Sequence, residues 1–288
     1  MYGRRKNNLK KNTVCRLTVV VLAGIVCVPV ILVFFGSLKS GNELTDSLSS
    51  ILADTGEKIN WKILPNYPTL VHYTKLLFWK PEFLTVFWNS IKIVWLILIG
   101  QLFVAVPAAW AFATFRWKGK NILFTLYVIL MLLPFQVTML PSYLVMNKMN
   151  LMDTQAAVIL PAIFSTFPVF LIYRGFTSIP KELLEAARVD GAGEFQIFCR
   201  VGIPLGSPGI LSAVVLGFLD YWNMMEQPLA FLKDKTLWPL SLYLPEIGIE
   251  QAGMALAASV VTLAPAVFVF VMGQNYLEQG IVASGIKE

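Results

Sequence analysis

The feature that most constrains this chain is a series of long apolar runs separated by short polar segments. A helix that crosses a bilayer needs about 20 mostly apolar residues, because the hydrocarbon core offers its backbone no water to bond. Six stretches of the sequence qualify, at approximately 17–36, 87–114, 122–144, 156–173, 209–221 and 256–276. The sequence therefore predicts an all-α, polytopic membrane protein with six transmembrane helices.

The composition excludes the other broad classes of protein. Of the 288 residues, 57% are hydrophobic and 14% are charged, whereas about 25% of the residues of a soluble domain are charged. One hydrophobic core cannot bury so much apolar surface, which rules out a soluble globular enzyme and a disordered chain. The three cysteines, Cys15, Cys27 and Cys199, fit no disulfide or zinc spacing, so we interpret them as small hydrophobic residues.

Basic residues are distributed unevenly over the segments between the apolar runs. They are concentrated at the N-terminus, after the second run and after the fourth. Because cytoplasmic loops carry an excess of Lys and Arg, both termini are predicted to be cytoplasmic. The net charge of +6 then reflects loop charge rather than nucleic-acid binding. The predicted domains are a basic cytoplasmic N-terminus 1–16, a first transmembrane helix 17–36, an extracytoplasmic loop 37–86, a core of five transmembrane helices 87–277, and a cytoplasmic tail 278–288.

Little in the sequence points to catalysis or to a bound cofactor. Gly119 and Lys120 lack the spacing of a Walker A motif, and the single histidine, His72, has no metal-ligand neighbours in sequence. We therefore predict no catalytic and no metal site, and we expect His72 to be a surface residue. Lys92, near one end of the second run, is expected to extend its ammonium group to the lipid headgroups.

Several prolines interrupt the apolar runs. Pro29, Pro107, Pro134, Pro161 and Pro265 lie inside them, and each frees a backbone carbonyl and kinks its helix. Packing geometry alone explains such kinks. Broken helices that border a cavity of changing shape explain them equally well, and composition does not separate the two interpretations.

A polar and aromatic cluster closes the fifth apolar run, where Asp220, Tyr221, Trp222 and Asn223 follow one another. A carboxylate and an amide can bond sugar hydroxyls while aromatic rings stack on apolar sugar faces, so these four residues are candidates for a substrate pathway. An interfacial aromatic belt is the alternative, and it fits Tyr221 and Trp222 equally well. Asp220 and Asn223 favour the functional interpretation, because a charge inside the bilayer is costly.

The polar segment 174–208 predicts a helix-turn-helix between the fourth and fifth runs. Ser178 can cap a short first helix, and Gly191 and Gly193 then end it. A second short helix is predicted over 194–200. Two prolines, Pro204 and Pro208, are expected to close the unit before the fifth run. A simple connection between two spans does not require a folded helix-turn-helix, so we expect this segment to contact a cytoplasmic partner.

The same segment carries a family signature. It follows the pattern E-A-A-x-x-D-G-A and then a hydrophobic-x-hydrophobic-Pro run, in Glu185, Ala186, Ala187, Asp190, Gly191, Ala192, Ile203 and Pro204. This pattern resembles the EAA loop of ABC importer permeases. Other points resemble the carbohydrate-uptake branch of that family, and specifically the smaller permease of a maltose-type pair. They are Asn66-Tyr67, Trp88-Asn89-Ser90, Trp222-Asn223 with Pro228-Leu229, and the tail 280–288.

The resemblance implies a type I ABC importer permease fold in the plasma membrane of a prokaryote, and a transporter rather than an enzyme. The implied partners are a second permease subunit in a heterodimer, two ATPase subunits, an extracytoplasmic solute-binding protein and the lipid bilayer. The chain itself is expected to bind no cofactor, because the ATPase subunits use the ATP and Mg. The implied function is the import of a sugar or oligosaccharide by alternating access.

The resemblance also assigns roles to individual residues. The ATPase-coupling residues of the loop 174–208, called the coupling loop below, are Glu185, Ala186, Ala187, Asp190, Gly191 and Pro204. Gly285 and Lys287 in the tail are expected near the ATPase. The binding-protein contact loop is expected to use Glu226, Trp238 and Tyr243.

Three alternatives to sugar import stay open. A permease of the same architecture could carry glycerol phosphate or a polyamine, although a phosphate ester favours several arginines along the pathway. A channel or ion-coupled carrier that acts alone needs several ionisable residues in the membrane, and this chain has essentially one, Asp220. A mainly structural subunit leaves the sugar contacts to its partner. Substitution of Asp220 and Asn223 would then leave uptake unchanged.

Overall fold

The computed structural model describes residues 2–52, 62–243 and 251–285, and every regular element within these ranges is a helix. The α-helices are α1 Tyr2–Ser37, α2 Gly41–Leu52, α3 Val71–Trp79, α4 Pro81–Thr114, α5 Lys120–Met131, α6 Phe135–Lys148, α7 Gln155–Ile163, α8 Thr166–Thr177, α9 Lys181–Val189, α10 Glu194–Ile197, α11 Ile203–Trp222, α12 Glu226–Phe231 and α13 Ala252–Gly285. A π-helical turn, Phe198–Gly202, joins α10 to α11, and 3₁₀ turns cover Lys235–Leu237 and Leu240–Leu242.

Five helical stretches among the described residues are long and apolar enough to cross a membrane. They are Arg16–Ser37, Pro81–Thr114, Gln155–Thr177, Glu194–Trp222 and Ala252–Glu278. The bent pair α5–α6 supplies a sixth if its two helices count as one span. The all-α membrane architecture is therefore confirmed, while the orientation of the termini and the domain boundaries stay predictions.

The third predicted span, 122–144, is two helices that meet at an angle of 102°. The bend falls at Pro134, which adopts an extended conformation with ψ 147° before α6 begins. Proline has no N–H group to continue α5, and its ring disfavours a helical conformation in the residue before it. One of the predicted proline kinks is thus a sharp bend.

The fourth span breaks between α7 and α8, at Phe164 and Ser165. Pro161 lies three residues before the break and Pro168 three residues after it. Each proline removes one backbone donor from the hydrogen-bond ladder, so this short stretch leaves more carbonyls to be satisfied by other groups than a regular helix would.

The fifth span begins earlier than expected, because α10, the π turn and α11 form one continuous helix from Glu194 to Trp222. The prediction that Pro204 and Pro208 end the helical unit is therefore wrong. In a regular α-helix a proline ring clashes with the carbonyl four residues earlier. Here Arg200, four residues before Pro204, lies within the wider π turn Phe198–Gly202, and the chain continues as a helix through both prolines.

The chain divides into two compact units, of which the first comprises Met1–Pro81 and Leu244–Leu263. In its described part, the Ser37 and Tyr73 hydroxyls are 2.6 Å apart. His72 is buried, bonds through Nε2 to the Lys39 carbonyl at 3.0 Å, and packs so closely on Gly253 that a Cβ there would meet its ring. The expectation that His72 is a surface residue is therefore wrong. Burial lowers the pKa of its imidazole, which favours the neutral form.

The second unit, Glu82–Tyr243 and Ala264–Glu288, holds the larger helical core. In it α8 and α11 approach closely through glycines: a Cβ added at Gly209 would lie 2.8 Å from the Cα of Gly175. A Cβ added at Gly206 would lie 2.5 Å from the ring of Phe176. Two helices whose backbones touch cannot slide past each other by changing rotamers. We call these contacts of Gly175, Gly206 and Gly209 the glycine seam.

Candidate functional site

The coupling loop contains the short helix α9, as its sequence predicts, and α10, which begins at the predicted residue 194 but continues through the π turn into α11 instead of ending near 200. Gly191 ends α9 with a left-handed φ of 83°, a conformation that favours glycine. The Ala192 amide then donates to the Ala187 carbonyl at 3.0 Å, which satisfies the end of the helix. Pro180 rather than Ser178 lies at the start of α9. The Ser178 hydroxyl instead donates to the Gly175 carbonyl of α8 at 2.7 Å.

One face of α9 is apolar and exposed. Val189 is 86% exposed and Leu183 is 48% exposed, and Ala186 lies between them at helical spacing. Leu184 is buried on the other side, in the core cluster that Ala187 also packs against. The coupling residues Glu185, Ala186, Asp190, Gly191 and Pro204 are exposed, while Ala187 is half-buried.

Phe195 on α10 is a further exposed apolar side chain of the coupling loop, with 77% of its area exposed. Sequence analysis did not single out Leu183, Val189 or Phe195. Their signal was present: large apolar residues, Leu183 and Val189 with Ala186 between them at three-residue spacing and Phe195 farther on, lie in a predicted polar loop, where exposed apolar side chains indicate an interaction surface. We call Leu183, Ala186, Val189 and Phe195 the coupling face.

An ion pair ties the two short helices together. The Arg188 Nε donates to the Glu194 carboxylate at 2.8 Å, which raises the pKa of the arginine. The Gly193 amide also donates to the Gln196 side chain at 3.2 Å, which caps the start of α10. Both ionic partners are exposed to solvent, so the pair contributes about 0.2–1 kcal/mol and fixes orientation more than stability.

Trp110 joins the coupling loop to the membrane helices. Its ring packs edge-on against Phe176 of α8 at 5.2 Å between centroids, and it packs in a tilted arrangement against Phe198 of the π turn at 5.5 Å. It also lies against Gly202, where a Cβ would come within 2.6 Å of the ring. Leu184 and Ile197 belong to the same core cluster, so a displacement of α9 and α10 is transmitted to α4, α8 and α11.

The four pathway candidates at the C-terminal end of α11 fall on opposite faces of the helix. Trp222 is only 3% exposed and stacks on Phe218 at 5.5 Å between ring centroids. Asp220 and Asn223 are exposed. Residues 218 and 222 share the buried face because they are four apart, so Trp222 has no ring face for a sugar and we remove it from the pathway. Tyr221 accepts a hydrogen bond from Gln101 at 2.7 Å.

Glu226, which the sequence places in the binding-protein contact loop, has a partner that sequence analysis missed. The Gln136 amide donates to both of its carboxylate oxygens at 3.3 Å. Gln136 lies in the first turn of α6, directly after the bend at Pro134. No local signal connects the two residues, since 90 positions separate them.

The 231–243 loop is held down by side chains of distant helices. Asn89 of α4 donates to the carbonyls of Thr236 and Trp238 at 2.7 and 3.1 Å. The neighbouring Ser90 accepts from the Leu240 amide at 2.6 Å. The sequence identified both residues only as part of the Trp88-Asn89-Ser90 motif. In the structure their side chains form hydrogen bonds with backbone carbonyl and amide groups of the loop.

Asp153 fixes the other end of this loop. Its carboxylate accepts from the amides of Lys233 and Asp234 at 2.8 and 2.9 Å. These two bonds lower the pKa of the Asp153 carboxyl, because they favour its charged form.

The two remaining contact-loop candidates are half-buried. The Trp238 indole donates to the Leu232 carbonyl at 3.2 Å. Tyr243 packs edge-on against Phe83 at 5.5 Å between centroids. The exposed part of the loop is instead Lys233–Thr236. Of the tail candidates, Gly285 is the last residue of α13, and Lys287 lies outside the described residues.

Comparison with known proteins identifies the family. Residues 83–282 match the family model described as the inner membrane component of binding-protein-dependent transport systems. The chain belongs to this family. It is a transport permease and not an enzyme, as the EAA pattern in the coupling loop predicted.

Relatives of this permease transport several solutes. It is 30% identical, over 92% of its length and 93% of the relative's, to the arabinooligosaccharides transport system permease protein AraQ of Halalkalibacterium halodurans. Over 68% of its length and 72% of the relative's, it is 30% identical to the sn-glycerol-3-phosphate transport system permease protein UgpE of Yersinia pestis.

The fold also matches a solved importer. A chain in the crystal structure of a bacterial ABC transporter involved in the import of the acidic polysaccharide alginate superposes with a TM-score of 0.75. The match covers 92% of this permease and 95% of that chain at 23% identity. The predicted ABC importer permease fold is therefore confirmed.

Proposed function

We propose that this chain is the transmembrane permease subunit of an ATP-driven importer that moves a sugar or oligosaccharide to the cytoplasm by alternating access. The carbohydrate assignment is supported by the relative that transports arabinooligosaccharides, because the likeness extends over nearly the whole of both chains. The importer works in the plasma membrane of a prokaryote. The chain forms one pathway with a second, non-identical permease subunit.

The observation that carries this proposal is the coupling face. Leu183, Ala186, Val189 and Phe195 expose apolar side chains on a loop between two membrane spans. Exposed apolar side chains in a loop between spans support an interaction surface, and we assign it to a protein partner. The partner is one of two ATPase subunits, which hold the ATP and Mg, while Glu185, Asp190 and Gly191 complete the contact. Gly285 and Lys287 lie near the same partner.

The opposite end of α11 serves the solute. Asp220 and Asn223 line the pathway, and the Gln136–Glu226 pair lies beyond them. The 231–243 loop contacts an extracytoplasmic solute-binding protein through its exposed Lys233–Thr236 segment and the adjoining Trp238 and Tyr243. Two exposed carboxylates, Asp220 and Glu226, repel an anionic solute, which favours a neutral saccharide over the glycerol phosphate of the relative UgpE.

The test is a solute screen on the binding protein that cooperates with this permease, followed by uptake into proteoliposomes that contain the assembled complex. Arabinotriose, maltotriose, glycerol 3-phosphate and spermidine are the probes. A rise in the melting temperature of the binding protein with a saccharide, and ATP-dependent uptake of it, are expected. Binding of glycerol 3-phosphate or spermidine alone would assign the non-sugar function. Normal uptake after substitution of Asp220 and Asn223 would assign this chain a structural role.

A further inference from the structure

A side chain from another span forms a hydrogen bond with the backbone at the break in the fourth span. The Ala162 carbonyl at the end of α7 accepts from the Ser165 amide at 3.1 Å and from the Gln101 side-chain amide at 2.8 Å. Gln101 lies in the middle of α4 and is only 3% exposed. A buried amide in a membrane helix is costly unless it is bonded, and here it bonds the carbonyl next to the break.

The same amide group joins a third span. Gln101 Nε2 also donates to the Tyr221 hydroxyl of α11 at 2.7 Å, and that hydroxyl bonds the Ser165 side chain. Gln101, Tyr221 and Ser165 form a cluster, called the polar joint here, in which α4, the break and α11 meet. Tyr221 lies between Asp220 and Asn223 in sequence, so the joint fixes the end of α11 that carries the pathway candidates.

The other ends of α8 and α11 are fixed by a different contact. The glycine seam brings their backbones together at Gly175 and Gly209, at the two ends of the coupling loop. A displacement of that loop therefore moves α8 and α11 as one body. Because α8 is locked to α11 there, the break at Phe164 and Ser165 is the place where the fourth span can change its angle.

We propose that Gln101 is a positioning residue of the transport cycle, which acts through Tyr221. Its two hydrogen bonds hold α7 to the C-terminal end of α11, so that a movement started at the coupling loop carries Asp220 and Asn223 and the α7 segment together. This proposal rests on the proposed function, since it needs ATPase subunits that displace the coupling loop.

The test is hydrogen exchange of the complete complex in lipid nanodiscs, measured without nucleotide and after trapping with ATP and vanadate. Gln101→Met keeps the length of the side chain and removes its donors, and Tyr221→Phe removes one hydroxyl. Each variant is expected to speed exchange at 162–168 by about threefold to tenfold, the range for one interhelical hydrogen bond in a membrane. In the wild type, trapping is expected to change the exchange rates of both segments, 162–168 and 219–223. In each variant, trapping is expected to change the rate of one segment without a matching change in the other.

A matched control is Gln227→Met. Gln227 is also buried and donates to α7 carbonyls, those of Ala157 and Val158, at 3.4 Å, but it comes from the short helix α12. Its variant is expected to speed exchange near 157–158 and to keep the joint response to trapping. The double variant of Gln101 and Tyr221 is expected to speed exchange by less than the product of the two single effects, because each single variant already loses the Gln101–Tyr221 bond.

Three outcomes would each overturn the positioning role. They are a wild-type exchange rate at 162–168 in Gln101→Met, a wild-type response of that variant to trapping, and single effects that multiply in the double variant. Failure of the complex to trap vanadate counts against the proposed function. Exchange in the nucleotide-free complex still tests the polar joint when trapping fails. A failure of the positioning role can therefore be distinguished from a failure of the proposed function.

Discussion

The two loops that flank α11 are held in place by different kinds of contact. The polar and backbone features of the coupling loop are local, namely the left-handed turn at Gly191 and the Arg188–Glu194 pair. Its attachment to the membrane helices is apolar, through Leu184 and Ile197 in the core cluster around Trp110. The 231–243 loop depends on side chains far away, since Asn89 lies 147 residues from Thr236. The coupling loop therefore combines local structure with an apolar attachment to the membrane helices, whereas the 231–243 loop takes its order from hydrogen bonds with distant side chains.

The same two loops also present different surfaces. The coupling loop exposes large apolar side chains, with Val189 at 86%, whereas the 231–243 loop half-buries Trp238 and Tyr243 and exposes the polar segment Lys233–Thr236. A partner of the first gains apolar burial, which suits a permanent contact, and a partner of the second gains polar contacts, which suits an encounter that forms and breaks.

The largest effect is expected at the coupling loop. Glu185→Lys reverses an exposed charge beside the coupling face and should lower ATPase activity stimulated by the solute-loaded binding protein at least tenfold, the scale of a lost interfacial charge contact. The permease should still insert and pair with its partner permease. Glu185→Gln, which keeps the size of the side chain, should give an intermediate loss. Full stimulation in the lysine variant would disprove the docking assignment.

A smaller effect is expected at the 231–243 loop. Asn89→Ala leaves the carbonyls of Thr236 and Trp238 without their donor, which costs about 1–3 kcal/mol of local order. Stimulation of the ATPase by the binding protein should fall about fivefold, with basal ATPase activity unchanged. Asn147→Ala, an exposed asparagine of α6, is the control. Equal behaviour of the two variants would mean that the order of the loop is irrelevant to the encounter.

The smallest effect concerns the backbone turn of the coupling loop. Gly191 has a φ of 83°, and Gly193 has a φ of −70°. Neither has any atom within 4 Å of the place of a Cβ. Gly191→Ala should therefore cost about 1–2 kcal/mol from backbone strain alone, and Gly193→Ala should stay within about 0.5 kcal/mol of the wild type. Thermal melting of the purified permease measures both, and equal melting temperatures would show that the left-handed turn is not retained.

What the sequence predicts well is what depends on short-range chemistry. The end of α9 at Gly191 follows from the conformational freedom of one residue, and the bend at Pro134 from a missing donor. The number of spans follows from apolar run length. The EAA pattern likewise located a segment whose exposed apolar face the structure then revealed.

What the sequence missed depends on residues far apart in the chain. His72 is buried because Gly253 lies against it, and Asn89 has its role because a distant loop needs donors. At Trp222 the sequence identified an aromatic residue near the end of the span but not the side of the helix on which it lies. The stacking on Phe218 shows that the ring points inward. For His72 and Asn89 the deciding partner is outside the window that a local pattern samples, whereas the i, i+4 spacing of Phe218 and Trp222 is a local signal that was overlooked.

The π turn at Phe198–Gly202 has a consequence for the register of the whole Glu194–Trp222 helix. A π turn holds one residue more than the α-helical ladder needs, and one residue corresponds to about 100° of rotation. A helical wheel drawn continuously over the 29 residues therefore assigns α11 the wrong faces. Deletion of one residue within the turn should therefore restore a regular α-helix in which α10 and α11 keep their present faces and Trp222 stays in the core. Insertion of one residue into the regular helix after the turn should instead rotate α11 by about 100° and turn Trp222 out of the core.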